Sequence, residues 1–229
     1  MAPTGNLYGH LLRDPKADCL LIRPLSQGLS CQTQLVYNYT TRSTCVRKCL
    51  RHPLSPGGQD PAVNDAVDEF DRDARVAGAL HAASTAAAAD KDGSHLRVPR
   101  LLSAASAPDG SRVSYWGLCN GGTVRSLLER CADTDSVLPM GLALHILLQT
   151  LETLDFMYSG LDTPLFHSDL HDHNLMLHFA PGAPIPDVHV IDFGRAVHCP
   201  PREGDYLAHQ AASKRALPHW DVPFVLRMV

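Results

Sequence analysis

The chain has 229 residues, 45% of them apolar, and a net charge of −4 with acids and bases dispersed along it. That suffices for one large domain or two small lobes sharing a cleft. No segment makes a basic face, which argues against nucleic acid as a partner. The thirteen histidines include no H-E-x-x-H and no Cys/His pairs at zinc spacing. The seven cysteines are odd in number and irregularly spaced, so free thiols in a reduced compartment are expected. The first residues, MAPTGNLYGHLLRDPK, hold no apolar core of signal-peptide length, and no run approaches the roughly twenty apolar residues of a membrane span. The expectation is an intracellular protein, cytoplasmic or nuclear, with no membrane partner.

In chain order, Cys19 to Ile22 reads as a strand, Ser26 to Ser30 as a turn around Gly28, and Gln32 to Tyr37 as a second strand. Ser43 to Leu50, STCVRKCL, is the next strand. Neighbours on a strand point to opposite faces, so only one of Arg47 and Lys48 can serve a given site. His52 to Pro61 is a loop by its Pro and Gly content. Asn64 can cap a helix running to about His81, with Val67, Phe70, Ala74, Ala77 and Leu80 on its apolar face. Ser84 to Arg97 is expected to be a loose connection. Leu101 to Ala104 and Ser111 to Trp116 bracket Ala107-Pro108-Asp109-Gly110, a hairpin signal. Gly121-Gly122 breaks the chain before a short helix, Thr123 to Arg130. Met140 to Tyr158 is the clearest helical pattern, and Gly160 ends it. Its stripe of Leu144, Leu147, Leu148, Leu151, Leu154 and Met157/Tyr158 is expected to be buried.

The stretch Leu165 to Ala196 carries the chemistry: LFHSDLHDHNLMLHFAPGAPIPDVHVIDFGRA. Leu175 to Leu177 and Val188 to Ile191 read as strands joined by the turn APGAPIP. That hairpin would set Asp169 and Asn174 just before its first strand and Asp192 just after its second. Three oxygen-bearing side chains would then converge, as phosphoryl transfer with magnesium requires. His167, Asp169, Leu170 and Asn174 stand at the spacing H-x-D-L-x-x-x-N, and Asp192-Phe193-Gly194 reads D-F-G. This pair of motifs resembles the catalytic loop and metal-binding segment of the protein-kinase-like superfamily, and the likeness extends from about Cys19 to Ala196.

The resemblance implies an α+β, bilobal protein-kinase-like fold, with a small antiparallel-sheet lobe and an incomplete, mainly helical lobe. Residues 1–17 would be an extension, 18–119 the small lobe and 120–229 the partial large lobe. It implies an ATP- and magnesium-dependent phosphotransferase, serine/threonine protein kinase-like. Asp169 would orient the acceptor hydroxyl, Asn174 and Asp192 would hold magnesium, and Lys48 would neutralise the α/β-phosphates, with Arg47 the alternative. Gly28 would lie in the phosphate-covering hairpin. Asp73, or Glu69 one turn earlier, would pair with the lysine through a longer or water-bridged contact, because aspartate replaces the usual glutamate. Gly117, Leu118 and Cys119 would form the hinge that meets adenine. The implied partners are ATP and a hydroxyl-bearing acceptor, a protein among the candidates, with a further protein covering the incomplete lobe. The departures are two absent glycines around Gly28, Ser168 for the usual arginine, His171 for the usual lysine, and no A-P-E after Ala196. Ser168 cannot pair with a phosphorylated loop as arginine does. His171 is closer to small-molecule kinases of the aminoglycoside and choline type. The alternative implications are a catalytically weak or inactive pseudokinase acting as a nucleotide- or protein-binding module, or a small-molecule kinase.

Overall fold

The computed structural model describes residues 10–14, 17–28, 30–50, 61–88, 96–107 and 110–198. The fold is α+β, and the chain divides into two compact units. One comprises Met1–Ala74 and Arg100–Leu118, the other Arg75–Pro99 and Cys119–Val229, the division falling inside a helix.

The first unit is built on a six-stranded antiparallel sheet in the order β1-β2-β3-β4-β6-β5. Its strands are β1 (Leu11–Asp14), β2 (Ala17–Gln27), β3 (Cys31–Asn38), β4 (Ser43–Leu50), β5 (Leu101–Ser106) and β6 (Arg112–Trp116). The β4 bounds match the sequence reading. β1 was not foreseen: it lies inside the stretch read as an extension and pairs Leu11 through Asp14 with β2. β2 outruns the expected Cys19 to Ile22, and its register with β3 shifts on both sides of the Arg23–Pro24 pair. Pro24 has no N–H for a regular ladder, so a shifted register is the way the strand continues. Ala17, Cys19, Leu21, Val36, Cys45, Val113 and Tyr115 form the buried cluster of this sheet.

Helix α1 (Pro61–Ala88) is longer than expected at both ends. It starts at Pro61, where a missing N–H costs nothing, and not at a cap on Asn64. It continues through the alanines after Ser84, the best helix formers, where a loose connection was expected. Phe70, Ala77 and Leu80 of the expected apolar face are buried, while Val67 and Ala74 are half-buried. The predicted loop from His52 falls, up to residue 60, outside the described residues, as does the stretch 89–95.

The second unit contains α2 (Val124–Asp133), α3 (Met140–Ser159), the two-stranded pairs β8 (Leu175–His178) with β9 (Asp187–Val190), and β7 (Leu165–Phe166) with β10 (Val197–His198). Thr123 caps α2, its hydroxyl accepting the Ser126 N–H at 3.0 Å. Gly121 donates to the Leu177 carbonyl and Leu177 donates to that of Gly122, both at 2.8 Å. A Cβ on Gly121 would lie 2.8 Å from the Leu177 Cβ and 2.9 Å from its carbonyl oxygen. The glycine is there because two backbones run in contact.

The expected buried stripe of α3 holds at Met157 and in part at the half-buried Leu147, Leu151 and Leu154, and fails at the rest. Leu144 and Leu148 are 52% and 57% exposed, and Tyr158 is exposed too. The buried face is Ala143, Ile146, Gln149, Thr150, Thr153 and Met157. A two-stranded sheet leaves an open edge whose buried N–H groups need acceptors. Gln149 meets this need, its Oε1 accepting the Val188 N–H at 2.7 Å, and Arg97 O accepts that of Val190 at 2.9 Å. Thr150 and Thr153 return their hydroxyls to the carbonyls of Ile146 and Gln149. Polar satisfaction of β9 thus selected the face, not apolar count. Among the described residues no helix is long and apolar enough to cross a membrane. The end of the chain, where the completing helices were expected to be missing, lies outside the described residues from 199 on.

Candidate functional site

In the first unit, strand alternation separates the two cations of β4. Arg47 faces Asp14, with Nε–Oδ2 at 2.6 Å and Nη2–Oδ1 at 2.7 Å, and donates to Gln34 Oε1 at 2.7 Å. Tyr115 donates its hydroxyl to the same Asp14 carboxylate. Burial alone would raise the Asp14 carboxyl, but the Arg47 guanidinium and the Tyr115 hydroxyl outweigh it and hold the pKa below its ordinary value. Burial and this carboxylate push the Tyr115 phenol far up. Arg47, weighed as the alternative phosphate ligand, is therefore committed to tying β1 onto the sheet. The only sequence hint of this network was the alternation of Arg47 with Lys48.

Lys48, on the opposite strand face, forms a direct ion pair with Asp73 of α1, Nζ–Oδ2 at 2.8 Å. The longer or water-bridged contact expected from the shorter acid is not what forms. The four-methylene lysine stem reaches the aspartate, whose side chain is almost fully buried. Gly28 follows β2 and donates its N–H to the Cys31 carbonyl at 2.9 Å, closing the hairpin. Gly117 donates to the Arg100 carbonyl at 2.8 Å. Gly117 and Leu118 belong to the first unit and Cys119 to the second. Burial pushes the Cys119 thiol up to about 12, so it is a packing group and not a nucleophile.

In the second unit, the hairpin β8–β9 forms as expected, with Leu175 opposite Val190 and Leu177 opposite Val188. Asn174 precedes the first strand and Asp192 follows the second by one residue. Fully buried His167 makes a 2.9 Å bond between Nε2 and the Ile191 carbonyl. A carbonyl only accepts, so Nε2 carries the proton and Nδ1 is the acceptor for the Asp169 N–H, at 3.3 Å. Ile191 in turn donates its N–H to the Asn174 carbonyl at 3.0 Å. Both polar groups of this one peptide residue are thus held by the H-S-D-L-H-D-H-N loop, which fixes the start of the D-F-G segment against it. The Phe193 ring packs against that of His167, centroids 5.2 Å apart. Ser168 and Asp192 both adopt left-handed backbone, φ 65° and 66°.

The Asn174 amide donates from Nδ2 to the Asp169 carbonyl at 2.9 Å and lies 3.2 Å from His171 Nε2. Both contacts use the nitrogen, which leaves Oδ1 as the atom available to a cation. An amide oxygen and the Asp192 carboxylate are hard donors that suit magnesium and not a soft metal. Among the described residues no three His, Cys, Asp or Glu side chains make a metal cage. Magnesium ordinarily needs none, since it is held by one or two carboxylates together with substrate phosphates. Asp169 is approached by Arg195, Nη1–Oδ1 at 3.5 Å, a contact that sequence reasoning missed although Arg195 stands directly after D-F-G. No protein-family model matches the chain, and no curated protein is significantly similar to it.

Proposed function

We propose that this chain is an ATP- and magnesium-dependent phosphotransferase with a bilobal, protein-kinase-like fold, serine/threonine protein kinase-like in its motifs. The observation that carries the reading is Ile191, bonded through its N–H to Asn174 and through its carbonyl to His167. That pair of bonds ties the backbone directly before Asp192 to the loop that carries Asp169 and Asn174. Phosphoryl transfer asks little covalent chemistry of a protein and much positioning, so a fixed register between these two loops is what such a reaction would need most. A lysine on a strand paired with an acid on the following helix, Lys48 with Asp73, supports it independently.

In this reading Asp169 orients the acceptor hydroxyl and takes its proton, and Lys48 sets a point charge on the α/β-phosphates. Asn174 Oδ1 and Asp192 would hold magnesium, which when bound neutralises charge on the phosphate oxygens. Gly28 lies in the phosphate-covering turn, and Gly117, Leu118 and Cys119 meet adenine. The acceptor bears a hydroxyl; His171 in place of lysine keeps a small molecule beside a protein as its class. Titration calorimetry with ATP, with and without magnesium, tests the proposal together with phosphate transfer by the wild type and Asp169→Ala. Magnesium-dependent binding with transfer lost in the variant supports it. Absence of nucleotide binding would falsify it.

A second reading is favoured by Arg195, whose guanidinium lies against an oxygen of Asp169 that the acceptor hydroxyl would need. There the chain binds nucleotide, or a protein partner, without turnover. Nucleotide binding without transfer in the wild type, with transfer appearing in Arg195→Ala, would identify that case.

A further inference from the structure

His171 stands in the loop between Asp169 and Asn174, and its ring has a use that its neighbours determine. The two hydrogens of an amide nitrogen can serve two acceptors. On Asn174 Nδ2, one serves the Asp169 carbonyl at 2.9 Å. The other faces His171 Nε2 at 3.2 Å. An NH2 group has no lone pair to offer here, so Nε2 must be the acceptor and the imidazole must be neutral with its proton on Nδ1. That Nδ1 is buried and has no hydrogen-bond partner among the described residues. A buried N–H left unsatisfied is a cost to the fold. What the histidine gains the loop in exchange is an amide whose nitrogen is fully used on both hydrogens, so that it cannot turn over and present N–H to a cation.

We propose that His171 is a positioning residue for the cation, holding the Asn174 amide by its second hydrogen so that Oδ1 is kept for the metal. This rests on the phosphotransferase reading for the identity of the cation, and deepens it by assigning a residue that acts through Asn174. Residues that orient a metal ligand typically change metal affinity by about 10- to 100-fold when replaced. A ring without an acceptor should therefore loosen the metal, and a side chain with an acceptor oxygen should recover it.

The test uses the full chain and Mn2+ with ADP, binding being read by the paramagnetic resonance of free Mn2+. His171→Phe keeps a planar ring and removes the acceptor, and His171→Gln offers Oε1 in its place. The expected result is Mn2+ affinity about ten-fold weaker in His171→Phe and largely restored in His171→Gln. In the metal-free protein, both Asn174 side-chain amide hydrogens should exchange slowly in the wild type and in His171→Gln, and one should exchange fast in His171→Phe. If the wild type binds Mn2+–ADP and the two variants are indistinguishable from each other, or His171→Phe matches the wild type in both measurements, the assignment is overturned. If the wild type itself binds no Mn2+–ADP, the phosphotransferase reading falls and takes the metal role with it.

Discussion

Lys48→Met is the sharpest probe of the first unit. The lysine and aspartate side chains are 18% and 5% exposed, and the two charges lie 2.8 Å apart. Removing the ammonium leaves a carboxylate that water barely reaches, and breaking a buried pair from one side costs about 3–5 kcal/mol. The lysine end is partly wet, so the expected loss is about 2–4 kcal/mol. Asp73→Asn keeps an acceptor oxygen for Nζ and leaves a cation whose flexible stem can carry it to solvent, so about 1 kcal/mol is expected. Asp73→Glu restores the acid usual in the resembled family but adds a methylene at a buried position, which should cost about 1–3 kcal/mol. The assay is urea unfolding followed by the fluorescence of Trp116, which is buried in β6, in a Trp220→Phe background. The order Lys48→Met worse than Asp73→Asn is the prediction. The reverse order, or zero coupling in the double-mutant cycle, would refute the view that the buried acid depends on the lysine.

Acid should weaken the second unit through His189. Burial, then the neighbouring His178, push its pKa down from 6.5 to about 4, with Asp187 opposing and Arg97 reinforcing. The unfolded chain therefore binds more protons between those values, and stability present above pH 6.5 is lost as pH falls toward 4, by up to roughly 3 kcal/mol. Unfolding free energies measured across that window should flatten in His189→Phe, and an unchanged slope would count against this. Gly121→Ala should cost about 1–3 kcal/mol, because the methyl meets Leu177 at under 3 Å; equal denaturation midpoints would contradict the close approach. Leu148→Lys, by contrast, should change stability by less than about 0.5 kcal/mol, since it lies on the exposed face of α3. A loss of several kcal/mol in thermal or urea unfolding would mean that face is covered.

The sequence made some elements legible and hid others for identifiable reasons. Strand β4 and the β8–β9 hairpin were readable because apolar runs and turn residues agree there, as local and tertiary preferences do in a consistent fold. The motif residues of the second unit were readable too, being close in sequence: Asp169 and Asn174 share one loop and Asp192 follows one hairpin. The contact of Lys48 with Asp73 was expected, but its length was not, since lysine reach and helix placement are tertiary quantities. The face of α3 was partly misread because hydrophobic periodicity counts apolar residues and does not count the acceptors an adjacent strand edge requires. β1 escaped notice because its four residues carry little pattern, and beside its ladder with β2 it is held by Arg47, thirty-three positions away from Asp14. The contacts of Arg195 and of His171 are specific side-chain geometries that spacing does not encode.

Ile191 has a consequence for how the second unit assembles. His167 and Ile191 are each followed directly by a residue in left-handed backbone, Ser168 and Asp192, a conformation that costs a non-glycine residue on the order of 1 kcal/mol or more. The imidazole–carbonyl link lies at the root of both bends, so neither is pinned without the other. Two loops that look separate in the chain would then snap into place, or let go, as one latch. The slow-exchange signal of a single amide, that of Ile191, would report on both at once.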